Sequence, residues 1–324
     1  MAADDPSSAP ATHRQIWVDG EYLPWEQATV HVLSHSLQRG SLIFDYMSVH
    51  ETPRGPAVFR MPEHVARFLD SARLVGLPLE RSAAEIEAAI LETVRRNPGA
   101  RAVKVSAYLA SIEVDVVPLD DHVTVAIAAY DPQADVNDRK PRPPHQARTL
   151  SLWIEKEVRN RRKDIVPPQA KVAANYTSPM WAKWNARRRG YDEILLIDEQ
   201  GHVAEGPTTN VFLVDQAGTL VTPEEETVLL GVTRRSILEI ARHEGIDVKE
   251  TKVAPEDLFA ASEVFLTGTS AGVWAVHAVD DRRIGPPGQE PPGPVARRLA
   301  ARFRKIAAGE DPDFATWLTP VNEG

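Results

Sequence analysis

The stretch PPQAKVAANYTSP (residues 167–179) places one lysine, Lys171, behind two prolines and among alanines and a valine, just ahead of Asn175 and Tyr176. Small apolar neighbours offer a long, hydrated cation no charge partner. The context predicts a partly desolvated amine, and desolvation suits an amine to forming a Schiff base with a carbonyl compound. In HVAEGPTTNVFLV, Glu205 stands between a strand-like run and a Gly-Pro turn. In LLGVTRRS, Gly231 precedes a helix whose first N–H groups belong to Val232 and Thr233, and such a terminus attracts anions through its unpaired amides and its dipole. FLTGTSAG (residues 265–272) runs from a strand into small residues and hydroxyls, and Arg60 closes a strand just before a helix, where a guanidinium fork can grip phosphate. Singly, each has an ordinary explanation: a surface lysine, a solvated glutamate, one helix start among many, a hairpin turn, an arginine covering a surface. Jointly they are the parts needed to hold pyridoxal phosphate. A lysine carries it, a carboxylate keeps its pyridine nitrogen protonated so that the ring accepts electrons, and an anion cup takes its phosphate.

Groups so far apart in the chain need a scaffold to bring them together. At 324 residues the chain exceeds the usual size of one core, so two domains are expected. The net charge of -9 argues against a nucleic-acid partner, which would need a basic stripe. Zero cysteine removes disulfides, thiolate nucleophiles and cysteine metal sites, and no metal is expected. No segment approaches the roughly 20 apolar residues of a membrane span. Residues 1–14, small and acidic, read as a disordered leader without an apolar signal region, so a soluble cytoplasmic protein is expected. The proline-rich segment 134–146, its charges nearly balanced, reads as a linker between a domain at 15–133 and one at 147–324. Before it, RQIWVDGEYLPW is a hairpin about Asp19-Gly20, SLIFDYMSV and PAVFR are strands, Pro62 opens a helix to about Val75, and Ser82 with Glu85 makes a capping box for a second helix. AVKVSAYLA and HVTVAIAAY complete an α+β domain. Beyond it come a strand TLSLWI, a helix over 175–189 stopped by Gly190, short strands EILLID, HVAEG and TNVFLVD, a helix from Gly231, a hairpin SEVFLTGTSAGVWAVHAV and a closing helix from Pro294 to Ala308.

The stretches HVLSHSLQRGSLIFD, VFRMPEHVARFLDSARLVGLPL, AKVAANY, DEILLIDEQGHVAEGPTTNVF, LLGVTRRSILEIAR and SEVFLTGTSAGVWAV carry a resemblance over nearly the whole chain. The sequence resembles the fold-type IV pyridoxal-phosphate aminotransferases, and within them the branched-chain amino-acid aminotransferases. The resemblance implies a two-domain α+β fold of the D-amino-acid aminotransferase type, a small α+β domain beside a larger pseudo-barrel domain, with the cofactor in the cleft between them and a homodimer completing each site. It implies that Lys171 is the Schiff-base lysine and proton carrier, that Tyr176 bonds the cofactor's phenolic oxygen, and that Glu205 pairs with the pyridine nitrogen. Arg60, the amides of Val232 and Thr233, and Thr269 would hold the phosphate, Leu230 would pack on the ring, and Asn210 would support the same pocket.

Where the family usually has Tyr-Gly this chain has Arg39-Gly40, where it has Tyr-X-Arg this chain has Ala102-Val103-Lys104, and where it has Glu-Gly this chain has Asp45-Tyr46. The cofactor half of the site is kept and the substrate half is rewritten. Arg39 and Lys104 are candidates for gripping a substrate carboxylate, with the amides of Thr269 and Ser270, and Phe44 and Trp153 are candidates for an apolar side pocket. Arg39 is equally a surface residue on a short helix, and Trp153 equally a core residue. The expected reaction is ping-pong transamination between an amino donor, a hydrophobic L-amino acid by resemblance, and a 2-oxo acid such as 2-oxoglutarate or pyruvate. Two alternatives share the scaffold: transamination of D-amino acids or (R)-amines, and an aminodeoxychorismate-type lyase reaction.

Overall fold

In the strand Leu42–Thr52, Ile43, Asp45, Met47 and Val49 are buried while Leu42, Phe44, Tyr46 and Ser48 are half-exposed, so successive side chains alternate between two faces of a sheet. A computed structural model describes residues 13–137 and 149–322 of the chain. Seven antiparallel strands make this first sheet, in the order Leu318–Pro320, Gly55–Phe59, Leu42–Thr52, Ala102–Leu109, Val123–Tyr130, Gln15–Val18 and Glu21–Pro24. Asp19 and Gly20, both at positive φ, turn the terminal hairpin as its sequence requires. The helices Met61–Val75 and Ala83–Arg96 cover one face, packing Val65, Phe68, Ile86 and Ile90 on Ile43, Met47, Val103 and Val105. The expected capping box is formed: Ser82 accepts from the Glu85 N–H, and Glu85 from that of Ser82.

The second sheet has eight strands and mixed direction. Its main path runs Val248–Glu250, Leu220–Thr222, Asn210–Val214, Glu263–Gly268, Gly272–Val279, Leu150–Ile154 and Glu193–Leu195, with Arg282–Arg283 paired on Gly272–Val279. Val203 bridges Ile197, just past one edge strand, and Val253, just past the other. The sheet therefore curls nearly shut, as a barrel does. HVAEG, expected as a strand, is instead this pair of bridges plus Glu205–Asn210, because each of its residues meets a different partner. Leu152, Val211, Leu266 and Val276 fill the interior. The helices Val232–His243 and Pro294–Ala307 cover the outside, over Phe212 and Phe265.

The first sheet takes its edge strand from the chain's other end, because Leu318–Pro320 pairs with Ala57–Phe59. A division at 134–146 thus separates most, but not all, of the two sheets. Residues 1–12 of the expected leader and 138–146 of the expected linker lie outside the described residues. Among the described residues no helix is long and apolar enough to cross a membrane.

Candidate active site

Lys171 is fixed at both backbone ends. Its N–H donates to Ser71 Oγ at 3.0 Å on the helix Met61–Val75, and its carbonyl accepts from Phe44 N–H at 3.0 Å on the first sheet. Its Nζ lies 3.1 Å from the hydroxyl of Tyr176, which sits in the short 3-10 turn Ala173–Tyr176. Phe44 packs against both, 5.3 Å from the Tyr176 ring and 5.0 Å from the amine. The amine is half-buried, as the small apolar neighbours of Lys171 predict, and its contact with the Tyr176 phenol is a further finding.

Glu205 lies in the bridge segment that closes the second sheet and is 3% exposed. Its carboxylate accepts from Arg161 at 2.9 Å, from the Leu229 N–H at 3.1 and 3.3 Å, and from the Asn210 amide at 3.3 Å. Burial pushes its pKa up to about 7, against the opposing pull of Arg161 and the Leu229 N–H. Asn210 also donates to the Leu229 carbonyl, so one side chain ties the carboxylate segment to the chain leading into the helix Val232–His243. That helix has Gly231 as its N-cap and no side-chain cap, so its first N–H groups are left for a ligand. A Cβ at Gly231 would stand 2.1 Å from Asn210 Oδ1, so any other residue there must displace the Asn210 amide.

Lys171, Glu205, Asn210, Val232, Thr233 and Thr269 line one cleft. Its arginines are Arg67 and Arg161. Arg60, expected on the phosphate, is placed elsewhere. It is 2% exposed, its guanidinium lies 3.6 Å over the Trp317 ring, and it pairs with Glu239 and Glu63. Glu239 is seven residues past Val232, about 10 Å down the helix axis, so Arg60 is spent on a buried junction away from the helix N-terminus. Of Arg60 and Arg67, it is Arg67 that lines the cleft: it donates to the Leu230 carbonyl at 3.1 Å and grips buried Asp45 through two bonds of 2.8 Å, with His64 at 2.7 Å on the same carboxylate. Burial alone would raise the Asp45 pKa, but the charges and hydrogen bonds of Arg67 and His64 hold it well below the usual carboxylate range. Leu230 is corrected too: Leu229 lines the cleft, while Leu230 is 38% exposed in the neighbouring groove. The segment is extended here, and a one-residue shift moves a side chain to the other side.

The substrate candidates separate. Lys104 shares the open face of the first sheet with Phe44, its Nζ 4.8 Å from that ring, and lines an apolar cavity of about 690 Å³ with Leu42, Tyr108, Ala126, Ala128 and Ala173. Ser270 follows Thr269 but is exposed and outside the cleft lining. Arg39 is exposed on the short helix His35–Arg39 and donates to the carbonyls of Gln38 and Val114. Trp153 is not in the cleft. It packs on Tyr191 at 5.3 Å and under Arg189 at 3.8 Å, beside the helix Thr177–Arg188, because the outward face of its strand meets that helix.

Arg67, Arg161, His64 and Leu229 were not singled out from sequence, and Asp45 was noted only as a departure from the family's Glu-Gly. For Arg67 a signal was present: His64, Arg67 and Ser71 recur at helical spacing on one side of the helix, where His64 and Ser71 are buried among apolar residues. Arg161 lies in an irregular segment without such a period. The cleft suits pyridoxal phosphate in its donor set. The hydroxyls of Thr209 and Thr267, both lining it, and the Nε of Arg161 are buried without a hydrogen-bond partner, so the cleft's walls carry polar groups that the protein itself does not satisfy.

The sequence profile of the family described as amino-transferase class IV matches residues 42–279. A branched-chain-amino-acid aminotransferase of Salmonella typhimurium is 32% identical over 312 residues, spanning 95% of this chain and 97% of that protein. Among solved structures, the T.th. branched-chain amino acid aminotransferase with pyridoxamine 5'-phosphate superposes with a TM-score of 0.86 at 35% identity, covering 96% of this chain and 99% of that one. The branched-chain aminotransferase of the archaeon Thermoproteus uzoniensis with norvaline gives 0.85 at 30% identity, covering 95% and 99%.

Proposed function

We propose a substrate and a division of labour on a fixed premise: this chain belongs to the class IV aminotransferases and is a pyridoxal-phosphate-dependent transaminase. The reading is that it moves the amino group of a branched-chain or other apolar L-amino acid to a 2-oxo acid. The observation that carries it is the apolar cavity of about 690 Å³ that opens beside Ala173 and Ala174, two and three residues after Lys171, with Lys104 as its cation. Relatives named for branched-chain substrates support the same choice.

Bound pyridoxal phosphate supplies an aldehyde for the amino group and a ring that accepts the electron pair released at Cα. Arg67 and the N–H groups of Val232 and Thr233 would hold its phosphate, with Thr269 beside them, Glu205 would pair with its ring nitrogen, and Tyr176 would bond its phenolic oxygen. Lys171 would take the proton from the donor's Cα and deliver it to the cofactor's C4′, and the reverse transfer would serve the 2-oxo acid. Tyr176, 3.1 Å from Nζ, keeps that amine aimed. Lys104 attracts the substrate carboxylate to the rim of the apolar cavity, and Leu42, Ala126 and Ala128 exclude water from the side chain.

The assembly belongs to the same reading. Val32, Leu33 and Leu37 beside the helix His35–Arg39, and Val114, Val116, Val117 and Leu119 in the adjoining loop, are all exposed. A second copy of the chain covers this apolar face, and Arg39, standing within it, is presented to the partner's cleft.

A second reading has its own support. The changes at Arg39, Lys104 and Tyr46 rewrite the carboxylate-binding half of the site, which suits D-amino acids or (R)-amines. One experiment decides between the readings: follow the visible absorbance of the holoenzyme on adding L-leucine, D-alanine and (R)-1-phenylethylamine separately. Rapid loss with L-leucine alone is expected. Loss with D-alanine or the amine in its place would establish the second reading.

A further inference from the structure

We infer that Arg161 is a positioning residue for the cofactor ring: acting through Glu205, it drives the proton they share onto the ring nitrogen. The inference rests on the reading that this cleft holds pyridoxal phosphate and is independent of which amino acid is the substrate.

Arg161 comes from the irregular segment between the strand Leu150–Ile154 and Lys171, yet its side chain is only 5% exposed. It donates to Glu205 Oε1 at 2.9 Å and to the Pro207 carbonyl at 3.5 Å, and its guanidinium lies 5.0 Å from the centre of the Tyr176 ring. One side chain thus touches the two residues that face the ring's nitrogen and its phenolic oxygen. Burying an arginine and a glutamate together is costly unless the geometry is good, and losing one partner leaves the other charge stranded.

The groups around Glu205 come from every neighbouring element. Arg161 and the N–H of Leu229 touch it, Asn210 donates from the strand Asn210–Val214, and Lys171 and Arg234 act on it electrostatically. Of these, Arg161 is the cation in hydrogen-bond contact. Burial favours the protonated acid, and a protonated Glu205 would leave the ring nitrogen neutral and the ring a poor electron acceptor. Because Arg161 touches the carboxylate itself, its charge disfavours a proton there more than on a ring atom beyond it. The shared proton moves to nitrogen.

The test uses full-length protein loaded with cofactor labelled with 15N at the ring nitrogen, in the native chain, Arg161→Met and Arg161→Lys. The 15N chemical shift reports the protonation of that nitrogen, and titration of apoprotein with pyridoxal phosphate reports affinity. A protonated nitrogen is expected at pH 7.5 in the native protein and in Arg161→Lys, and an unprotonated one in Arg161→Met. In Arg161→Met, kcat should fall at least tenfold with KM for the donor changed less than threefold. A protonated nitrogen in folded Arg161→Met would overturn the inference. If Arg161→Met does not fold, Arg161→Gln takes its place with the same two outcomes. Failure of the native apoprotein to bind pyridoxal phosphate would instead remove the reading of the cleft.

Discussion

Arg60 and Arg67 sit seven residues apart on one helix and its cap, carry the same charge, and do different work. Arg67 spends its fork on Asp45 and still reaches the carbonyl of Leu230 at the mouth of the anion cup. Arg67→Lys keeps a cation but loses the bidentate grip. It is expected to weaken pyridoxal phosphate binding by roughly 10- to 100-fold, the scale of one charge-assisted hydrogen bond, in a fluorescence titration of the apoprotein. Arg60→Lys should leave that affinity within about threefold and lower the melting temperature by several degrees, because it loses the stacking on Trp317 and part of the Glu239 pair. Equal effects on affinity would mean that Arg60 belongs to the site after all. Glu205 gives a pH prediction at the same scale. Its folded pKa of about 7 is above the ordinary carboxyl value of 4.5. The stability it contributes relative to an unperturbed carboxyl is therefore complete below the unfolded pKa and is lost as pH rises through about 7. The melting temperature of apoprotein should carry a downward component between about pH 5 and 8. In Glu205→Gln that component should vanish even if the mean melting temperature drops. An unchanged slope in the variant would place the titration on another group.

At the scale of elements, the anion cup depends on how closely two segments approach. A Cβ at Gly231 would overlap Asn210 Oδ1, so Gly231→Ala must displace the Asn210 amide that donates to Glu205 and to the Leu229 carbonyl. The expected result is at least a tenfold loss of cofactor affinity with the circular-dichroism spectrum retained, since a change confined to the N-cap leaves the interior of the helix intact. Retained affinity would show that the strand and helix do not set the cup. The capping box at Ser82 was readable as Ser-x-x-Glu and formed as read. Local hydrogen bonds between residues three apart need nothing from the rest of the fold. HVAEG did not become a strand, because bridging both open edges of a sheet is a property of the sheet and not of those five residues.

At the scale of the molecule, the exposed apolar residues around His35–Arg39 and the loop carrying Val114 and Val117 form one face. On the proposed assembly through this face, replacing Val114 and Val117 together by Asp is expected to give monomer in sedimentation where the native protein gives dimer, and to reduce turnover at least tenfold while holding the cofactor's absorbance. A dimer that survives both substitutions would place the subunit contact elsewhere. The strand Leu318–Pro320, stitched to Ala57–Phe59, ties the last residues of the chain to the first sheet and seats Trp317 over Arg60. The linker reading at 134–146 did not foresee this return, which depends on pairing over more than two hundred residues.

By itself the sequence determined the candidates for holding the cofactor and moving protons, because that chemistry needs particular residue types in particular local settings: Lys171 among small apolar residues with Tyr176 behind it, Glu205 before a Gly-Pro turn, and Gly231 opening a helix. It also determined the hairpin, the capping box and the main helices, whose signals lie within a few residues. Only the tertiary structure decided that Arg67 and not Arg60 lines the cleft, which of Leu229 and Leu230 faces it, that Trp153 packs outside it, and that Arg161 lies against Glu205. Arg60 and Arg67 are separated by two turns of one helix, and although Arg67 shares the helical spacing of buried His64 and Ser71, that local period does not say which arginine meets the cleft. The difference comes from Asp45 on a strand and Glu239 on a distant helix, and long-range contacts of that kind exist only once both sheets are packed.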